Sequence, residues 1–169
     1  MQFSVKRDVL LKSLTFVQGV VEKKNTLPIL SNVLLILNEG KLKIFATDMD
    51  IVFYDEISDV KVEKEGSTTT SASVLYDILR KITNNSSVSF NLSNDNKLSI
   101  KADNADFNLL CLAPDNFPSF PEEFSSDIIS INRDQFLSLL NKTRISISND
   151  DTRHYLNGVF LHITSGNQQ

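Results

Sequence analysis

The residues best suited to catalysis lie near the end of the chain, where Asp150, Asp151 and His154 stand close to several serines. A hydroxyl nucleophile, an imidazole base and an orienting carboxylate are the groups of a nucleophilic site. Their arrangement matches no such site, because no serine stands in a Gly-x-Ser-x-Gly sequence and no base can be identified for Cys111. The sequence therefore predicts no catalytic site and no enzymatic activity.

The spacing of histidines, cysteines and glycines also disfavours metal and cofactor sites. His154 and His162 are eight positions apart along a predicted strand, and the chain has one cysteine and no His-Glu-x-x-His sequence. The five glycines are scattered, so no loop offers clustered backbone amides to a phosphate. We expect neither a metal nor a cofactor.

The composition is typical of a cytoplasmic globular protein. Of the 169 residues, 41% are hydrophobic and 22% are charged. No apolar run approaches the roughly 20 residues that span a bilayer, and the N-terminus lacks the features of a secretory signal. A single cysteine excludes an internal disulfide and fits a reducing compartment. We expect a cytoplasmic location and no association with membranes.

The chain contains an internal repeat with an offset of 126 residues. Nine positions match without a gap: Ser4, Arg7, Asp8, Leu11, Leu14, Leu30, Val33, Leu35 and Gly40 correspond to Ser130, Arg133, Asp134, Leu137, Leu140, Leu156, Val159, Leu161 and Gly166. The second copy stops at Gln169, soon after the position that matches Gly40. We therefore expect a complete domain over residues 1–120 and the truncated start of a similar domain over residues 121–169.

Hydrophobic periodicity predicts the element order β-α-β-β-β twice within the first domain. The first unit has predicted strands at 3–6, 29–37, 42–46 and 51–60, a helix capped by Asp8 and a hairpin turn at 38–40. The second unit has predicted strands at 68–71, 88–92, 98–102 and 107–112 and a helix capped by Ser73. This order predicts an α+β domain with two helices on one side of antiparallel sheets.

Residues 113–121 hold three of the four prolines and are predicted to link the two domains. Beyond them the first elements recur. The second copy has a predicted strand at 128–131, a helix capped by Asp134, and a strand at 155–164.

Charge is segregated by element type. The helical segments with their flanks, residues 7–24, 73–83 and 133–144, carry nine basic and four acidic residues, a balance of +5. The remainder carries eight basic and seventeen acidic residues, a balance of −9. If tandem domains stack side by side, they form one positive helical face, which suits a DNA duplex held by sequence-independent, salt-sensitive phosphate attraction.

Four sequence segments identify a family resemblance. They are residues 26–30 (TLPIL), 46–48 (ATD), 117–118 (FP) and 153–158 (RHYLNG). Together they resemble the bacterial DNA polymerase III beta subunit family, the sliding clamps, over the whole chain. The resemblance implies the DNA-clamp fold, with three such domains in each chain and two chains closed head to tail into a ring whose helices line the hole.

The resemblance also implies the function and the partners. A sliding clamp is a processivity factor of bacterial DNA replication that encircles duplex DNA without catalysing a reaction. By short peptide motifs it tethers the DNA polymerase III catalytic subunit, the clamp loader and repair polymerases. The ring of the intact protein is a homodimer.

Several residues correspond to DNA-facing positions of the family. Lys24 lies in the loop before residues 26–30, and residues 149–155 match a second DNA-facing loop. With the helical cations included, the expected DNA-facing residues are Lys24, Arg7, Lys12, Arg80, Arg133, Lys142, Asp150, His154 and Tyr155.

Two further sets of residues follow from the same resemblance. Arg153 and Leu156 correspond to the edge of the pocket that receives partner peptides. The helix and edge strand late in the first domain correspond to the dimer interface; the implied residues are Val74, Ile78, Phe107 and Leu109.

One alternative function stays open on the sequence. The chain would then be a protein-interaction module that assembles through strand edges and peptide grooves and never meets DNA. In that case the positive charge of the helices would be incidental, and neutralising it would leave the function unchanged.

Overall fold

The computed structural model describes residues 1–21, 27–119, 130–148 and 150–163. The chain forms two compact units, Met1–Phe120 and Pro121–Gln169. Within the described residues, the first unit consists of β1 Gln2–Lys6, α1 Arg7–Val17, β2 Asn32–Asn38, β3 Lys41–Thr47, β4 Val52–Ile57, β5 Val60–Lys64, β6 Gly66–Ser71, α2 Ala72–Lys81, β7 Ser87–Leu92, β8 Lys97–Ala102 and β9 Ala105–Leu112. The predicted α+β class is confirmed.

The nine strands form one antiparallel sheet in the order β4-β3-β2-β6-β9-β8-β7-β1-β5. The first half of the unit, from β1 to β5, contains the three-stranded meander β2-β3-β4. The second half, from β6 to β9, contains the meander β7-β8-β9. The first strand of each half pairs with the meander of the other half, β1 with β7 and β6 with β2. Because of this exchange, neither half satisfies its backbone hydrogen bonds alone, and the two halves must fold together.

Strand periodicity and helix periodicity build a shared core. Along β1, Phe3 and Val5 are buried while the alternate positions face outward. Phe3 lies opposite Phe90 of β7, and their rings stack with centroids 4.6 Å apart. From the helices, Leu14 of α1 and Leu79 of α2 are fully buried in the same core.

The β2–β3 hairpin confirms the predicted turn at residues 38–40. Glu39 and Gly40 both have positive φ, +53° and +75°. A two-residue turn with this backbone matches the right-handed twist of the flanking strands. A side chain at position 40 would have open space around it, so the constraint on Gly40 is conformational rather than steric crowding.

Two predicted strands differ from the observed ones. The strand predicted at 29–37 begins only at Asn32, because Pro28–Ser31 forms a 3-10 turn in which the Ser31 hydroxyl donates to the Pro28 carbonyl at 2.7 Å. The strand predicted at 51–60 is divided into β4 and β5, which pair with different neighbours, β3 and β1. Sequence periodicity gives no sign of such a change of partner.

Two predicted helix caps were wrong by two residues. The side chain of Ser71, and not that of Ser73, accepts a hydrogen bond from the backbone amide of Val74 at the start of α2. In the second unit, helix α3 (Arg133–Thr143) is capped by Asn132, and not by Asp134. Ser, Asn and Asp are all good caps, so their type alone does not fix which one the chain geometry selects.

In the second unit α3 is followed by 3-10 turns at Arg144–Ser146 and Asp151–Leu156. The strands predicted at 128–131 and 155–164 are not observed at 130–131 or 155–163; the other positions of those predictions lie outside the described residues. A strand needs a neighbour to receive its hydrogen bonds, and the described residues of this unit provide none. Consistently, α3 buries no side chain.

The predicted linker begins inside the first unit. Pro114–Asn116 forms a 3-10 turn, and the Phe117 side chain is buried, with 6% of its surface exposed. Residues 120 and 121, where the two units divide, lie outside the described residues.

Leu79→Ala should lower the free energy of unfolding of the first unit by about 2–5 kcal/mol, because it opens a cavity in the shared core. The matched control is Leu110→Ala, since Leu110 is 79% exposed; this change should stay within about 0.5 kcal/mol of the unsubstituted chain. Urea denaturation of the 169-residue chain measures both. Equal effects of the two substitutions would contradict the assigned core.

Candidate nucleic-acid interface

Three exposed cations of the first unit lie on a pair of packed helices. Helices α1 and α2 contact each other and the sheet, so each buries one side and leaves the other in solvent. Leu14 and Leu79 lie on the buried sides. Lys12 of α1 and Arg80 and Lys81 of α2 are exposed. The first unit therefore presents positive charge on the solvent side of this helix pair.

Arg80 and Lys81 occupy the last turn of α2. The carbonyls at a helix C-terminus carry partial negative charge, so two cations there are favourably placed. The Arg80 guanidinium also lies over the Tyr76 ring, with its central carbon 5.6 Å from the ring centroid. This cation–π contact orients the guanidinium along the helix while the residue stays exposed.

Lys12 lies in a groove between α1 and β4 that also contains acidic residues. The groove is lined by the stacked rings of Phe16 and Phe53, 6.2 Å apart, and by Asp55 and Glu56. These carboxylates reduce the local positive potential at Lys12. Of the cations on the helix pair, Arg80 and Lys81 should therefore contribute more to the attraction of a polyanion.

Arg7 is largely buried, in contrast to the expectation that it faces DNA. Its side chain is 11% exposed. Nε donates to the Leu79 carbonyl at 2.8 Å and Nη2 to the Arg80 carbonyl at 3.2 Å, while Nη1 donates to Asp8 Oδ1 at 2.6 Å. Arg7 joins the start of α1 to the end of α2 and uses three of its five N–H donors within the protein. Its role at DNA stays a prediction.

Asp8 completes this junction instead of capping α1 as predicted. It is the second residue of the helix, and no side chain caps the helix N-terminus. One carboxylate oxygen accepts a hydrogen bond from Arg7, and the other accepts one from the backbone amide of Asn85 at 2.8 Å. The hydrogen bond from Arg7, followed by that from Asn85, holds the pKa of Asp8 below its ordinary value, because both stabilise the charged form.

The second unit holds five of the expected DNA-facing residues. Arg133 and Lys142 are exposed on α3. Arg133 Nη1 donates to Asp134 Oδ1 at 3.3 Å, an interaction between two side chains that are 84% and 85% exposed. Lys24 and the side chain of His154 lie outside the described part of the structure.

The segment from Ser148 to Leu156 is closed by a hydrogen bond from the Ser148 amide to the Leu156 carbonyl, at 3.0 Å. Within it, Asp150 accepts from the Thr152 hydroxyl at 2.6 Å and from the Thr152 amide at 3.0 Å. These two bonds, the hydroxyl first, lower the pKa of Asp150. Arg153 Nε lies 3.7 Å from the same carboxylate and partly compensates its charge.

Tyr155 and Leu156 are both exposed, by 74% and 45%. Tyr155, which was predicted to face DNA, and Leu156, which was predicted to line the peptide pocket, therefore both lie at the surface of this unit.

The predicted dimer residues divide into exposed and buried ones. Val74 is 43% exposed, whereas Ile78 is 8% exposed and belongs to the core. Phe107 and Leu109 are half-buried against that core. Of the large apolar side chains of β9, Leu110 is the most exposed, at 79%, followed by Leu112 at 43%, and neither was predicted. The strand alternation of inward Phe107 and Leu109 was the signal that could have found them.

Among the described residues, no group of three or more His, Cys, Asp or Glu side chains is arranged to hold a metal ion. Nor does the described part of the chain include a helix with the length and apolar character needed to cross a membrane.

The comparison with known proteins decides the family. The sequence profile of the DNA polymerase III beta subunit, N-terminal domain, matches residues 1–121. The chain belongs to the DNA polymerase III beta subunit family. The family resemblance inferred from its sequence segments is confirmed.

Curated members of this family resemble the chain over nearly its whole length. The beta sliding clamp of Caulobacter vibrioides is 39% identical over 163 residues, which cover 96% of this chain and 44% of the relative. The beta sliding clamp of Pseudomonas aeruginosa is 32% identical over 166 residues, 98% of this chain and 45% of the relative. The chain thus spans less than half the length of these relatives.

Solved clamp structures have the same fold. The structure of Caulobacter crescentus pol III beta matches with a TM-score of 0.90 at 37% identity, over 99% of this chain and 45% of that one. A DnaN sliding clamp from Bartonella birtlesii, bound to griselimycin, matches with a TM-score of 0.91 at 35% identity, over 98% of this chain and 44% of that one.

The Asp8 junction predicts a specific pH dependence. A carboxyl whose pKa is lowered by folding stabilises the protein above its unfolded pKa, about 3.9, and this contribution is lost as the pH falls through the lower folded pKa. Asp8→Asn should therefore destabilise the first unit at pH 7, and the difference should shrink below about pH 4. Thermal melts at graded pH measure this difference. Asp134→Asn, the change at the exposed copy, is the control; a pH-independent effect of Asp8→Asn would contradict the assignment.

Proposed function

We propose that this chain is the N-terminal domain and the start of the central domain of a bacterial sliding clamp, the processivity factor of DNA replication. The intact protein encircles duplex DNA in the cytoplasm and tethers DNA polymerase III. The observation that carries this proposal is the match of nearly the whole chain, in sequence and in fold, to beta sliding clamps. Synthesis belongs to the polymerase, and this chain contributes no catalytic step.

The exposed cations support the DNA-facing part of the proposal. Lys12, Arg80 and Lys142 are exposed on helices, where they can approach phosphates without reading bases. Contacts of this kind are sequence-independent and weaken as salt rises. A ring that holds DNA by enclosure needs no tighter contact, because sliding requires each phosphate interaction to exchange rapidly.

Partner proteins are the second part of the proposal. Arg153 and Leu156, both exposed, form one edge of a pocket for short peptide motifs of the polymerase, the clamp loader and repair polymerases. The guanidinium of Arg153 is suited to a peptide carboxylate or carbonyl, and Leu156 to an apolar side chain. The rest of such a pocket would come from residues outside this chain.

Neutralising Lys12, Arg80 and Lys142 together to Gln in the longer protein should shorten its retention on closed circular DNA. It should also reduce the salt dependence of binding, because each lost phosphate contact removes about 0.9 from the slope of log K against log salt. The measurement is the lifetime of loaded protein at graded salt.

The matched control removes the same charge from exposed strand lysines, Lys61, Lys64 and Lys97. Its retention and salt slope should equal those of the unsubstituted protein. If both triple variants behave alike, the helix pair does not face DNA, and the protein-interaction module becomes the better explanation.

The outer edge of β9 supports a proposal for dimer formation. Residues 105–110 of β9 pair with β8, and β9 pairs with β6 only at Cys111 and Leu112. Most of its second edge is therefore unpaired among the described residues, beside exposed Leu110. We infer that this edge adds to a strand of a second chain, with apolar contact from Leu110 and Val74.

Leu110→Asp should prevent the longer protein from dimerising, since it places a charge in a desolvated apolar contact. Analytical ultracentrifugation should show a sedimentation coefficient of the monomer at micromolar concentration. The control is Asn108→Asp, which lies on the same outward face and loses no apolar side chain. Its dimer dissociation constant should be at least ten times lower than that of the Leu110→Asp variant. A dimer unchanged by Leu110→Asp would show that the interface lies elsewhere.

A further inference from the structure

The Arg-Asp pair at the start of α1 recurs at the start of α3. The 126-residue offset superposes Arg7 and Asp8 on Arg133 and Asp134. Both pairs make the same internal contact, from arginine Nη1 to aspartate Oδ1, at 2.6 Å in the first unit and 3.3 Å in the second. What differs is everything else that the arginine touches.

In the first unit Arg7 binds the end of a neighbouring helix. The last carbonyls of a helix lack intrahelical partners and carry its negative end. The planar guanidinium offers several donors in a fixed fork, and Arg7 uses them on the carbonyls of Leu79 and Arg80. Asp8 holds the fork from the other side and fixes the chain after α2 through the amide of Asn85.

In the second unit the same pair is exposed. The described residues of this unit give Arg133 one hydrogen bond, the one to Asp134, and leave its side chain 84% exposed. The apolar positions of α3 are uncovered as well: Leu137 is 41% exposed and Leu139 60% exposed. In α1, by contrast, Leu14 is fully buried at the position that matches half-buried Leu140.

We propose that Arg133 and Asp134 form the docking site for the C-terminal end of the second helix of the second domain, and that Arg133 is not a DNA contact. The occupant is a segment of the longer protein, beyond Gln169, so the inference rests on the proposed function. The offset places the matching carbonyls near positions 205 and 206. The apolar side of that helix would cover Leu137 and Leu140, as α2 covers α1.

The test compares Arg133→Gln with Lys142→Gln in the protein expressed from its complete gene. The docking role predicts that Arg133→Gln lowers the melting midpoint of the second domain by about 5 °C, while retention on circular DNA and its salt slope stay unchanged. Arg133→Lys should recover little of this loss, because an ammonium cannot serve two carbonyls and a carboxylate in one plane. Lys142→Gln should change retention without changing the melting midpoint.

A second measurement uses the 169-residue chain. There, Arg7→Gln should lower the melting midpoint of the first unit by several degrees. Arg133→Gln should leave melting unchanged, because the described residues of the second unit include no second α-helix for Arg133 to bind. An unchanged midpoint for Arg133→Gln in the longer protein would overturn the inference, and so would a gene that ends at residue 169. If the unsubstituted longer protein fails to stay on circular DNA, the proposed function fails, while the melting comparison still decides the role of Arg133.

Discussion

The exchange of first strands between the two halves of the domain is the constraint on which the rest of the structure depends. Because β1 pairs with β7 and β6 with β2, each half completes the sheet of the other. The stacked pair Phe3 and Phe90 lies directly across one of these junctions, so backbone pairing and core packing reinforce each other. The helices then have one continuous surface on which to pack, and their outer sides become one exposed face.

The junction of Arg7 and Asp8 performs on the helix side what the strand exchange performs in the sheet. It ties the first helix of one half to the last carbonyls of the second helix, using a charged group that is nearly buried. This separates the arginines by role: Arg7 holds the helix pair together, whereas Arg80 lies at the surface with its guanidinium over Tyr76. Only exposed cations are available to a ligand, so charge counted along a helix overestimates its binding surface.

The stability of this domain and its exposed positive charge lie in different parts of the structure. Stability comes from the sheet and the buried helix sides. The exposed helix sides carry Lys12, Arg80 and Lys81, and acidic side chains beside Lys12 weaken its attraction for an anion. A surface of this kind favours rapid exchange between phosphates over tight binding.

The sequence by itself determined the α+β class, the order of elements, the turn at residues 38–40, and the family, because periodicity, turn residues and short segments are local signals. The tertiary structure alone decided two matters. It divided the predicted strand at 51–60 between two neighbours, and it buried Arg7. Each depends on a partner distant in the sequence, and the spacing of residues along a chain does not specify which distant group will neutralise a charge or pair with a strand.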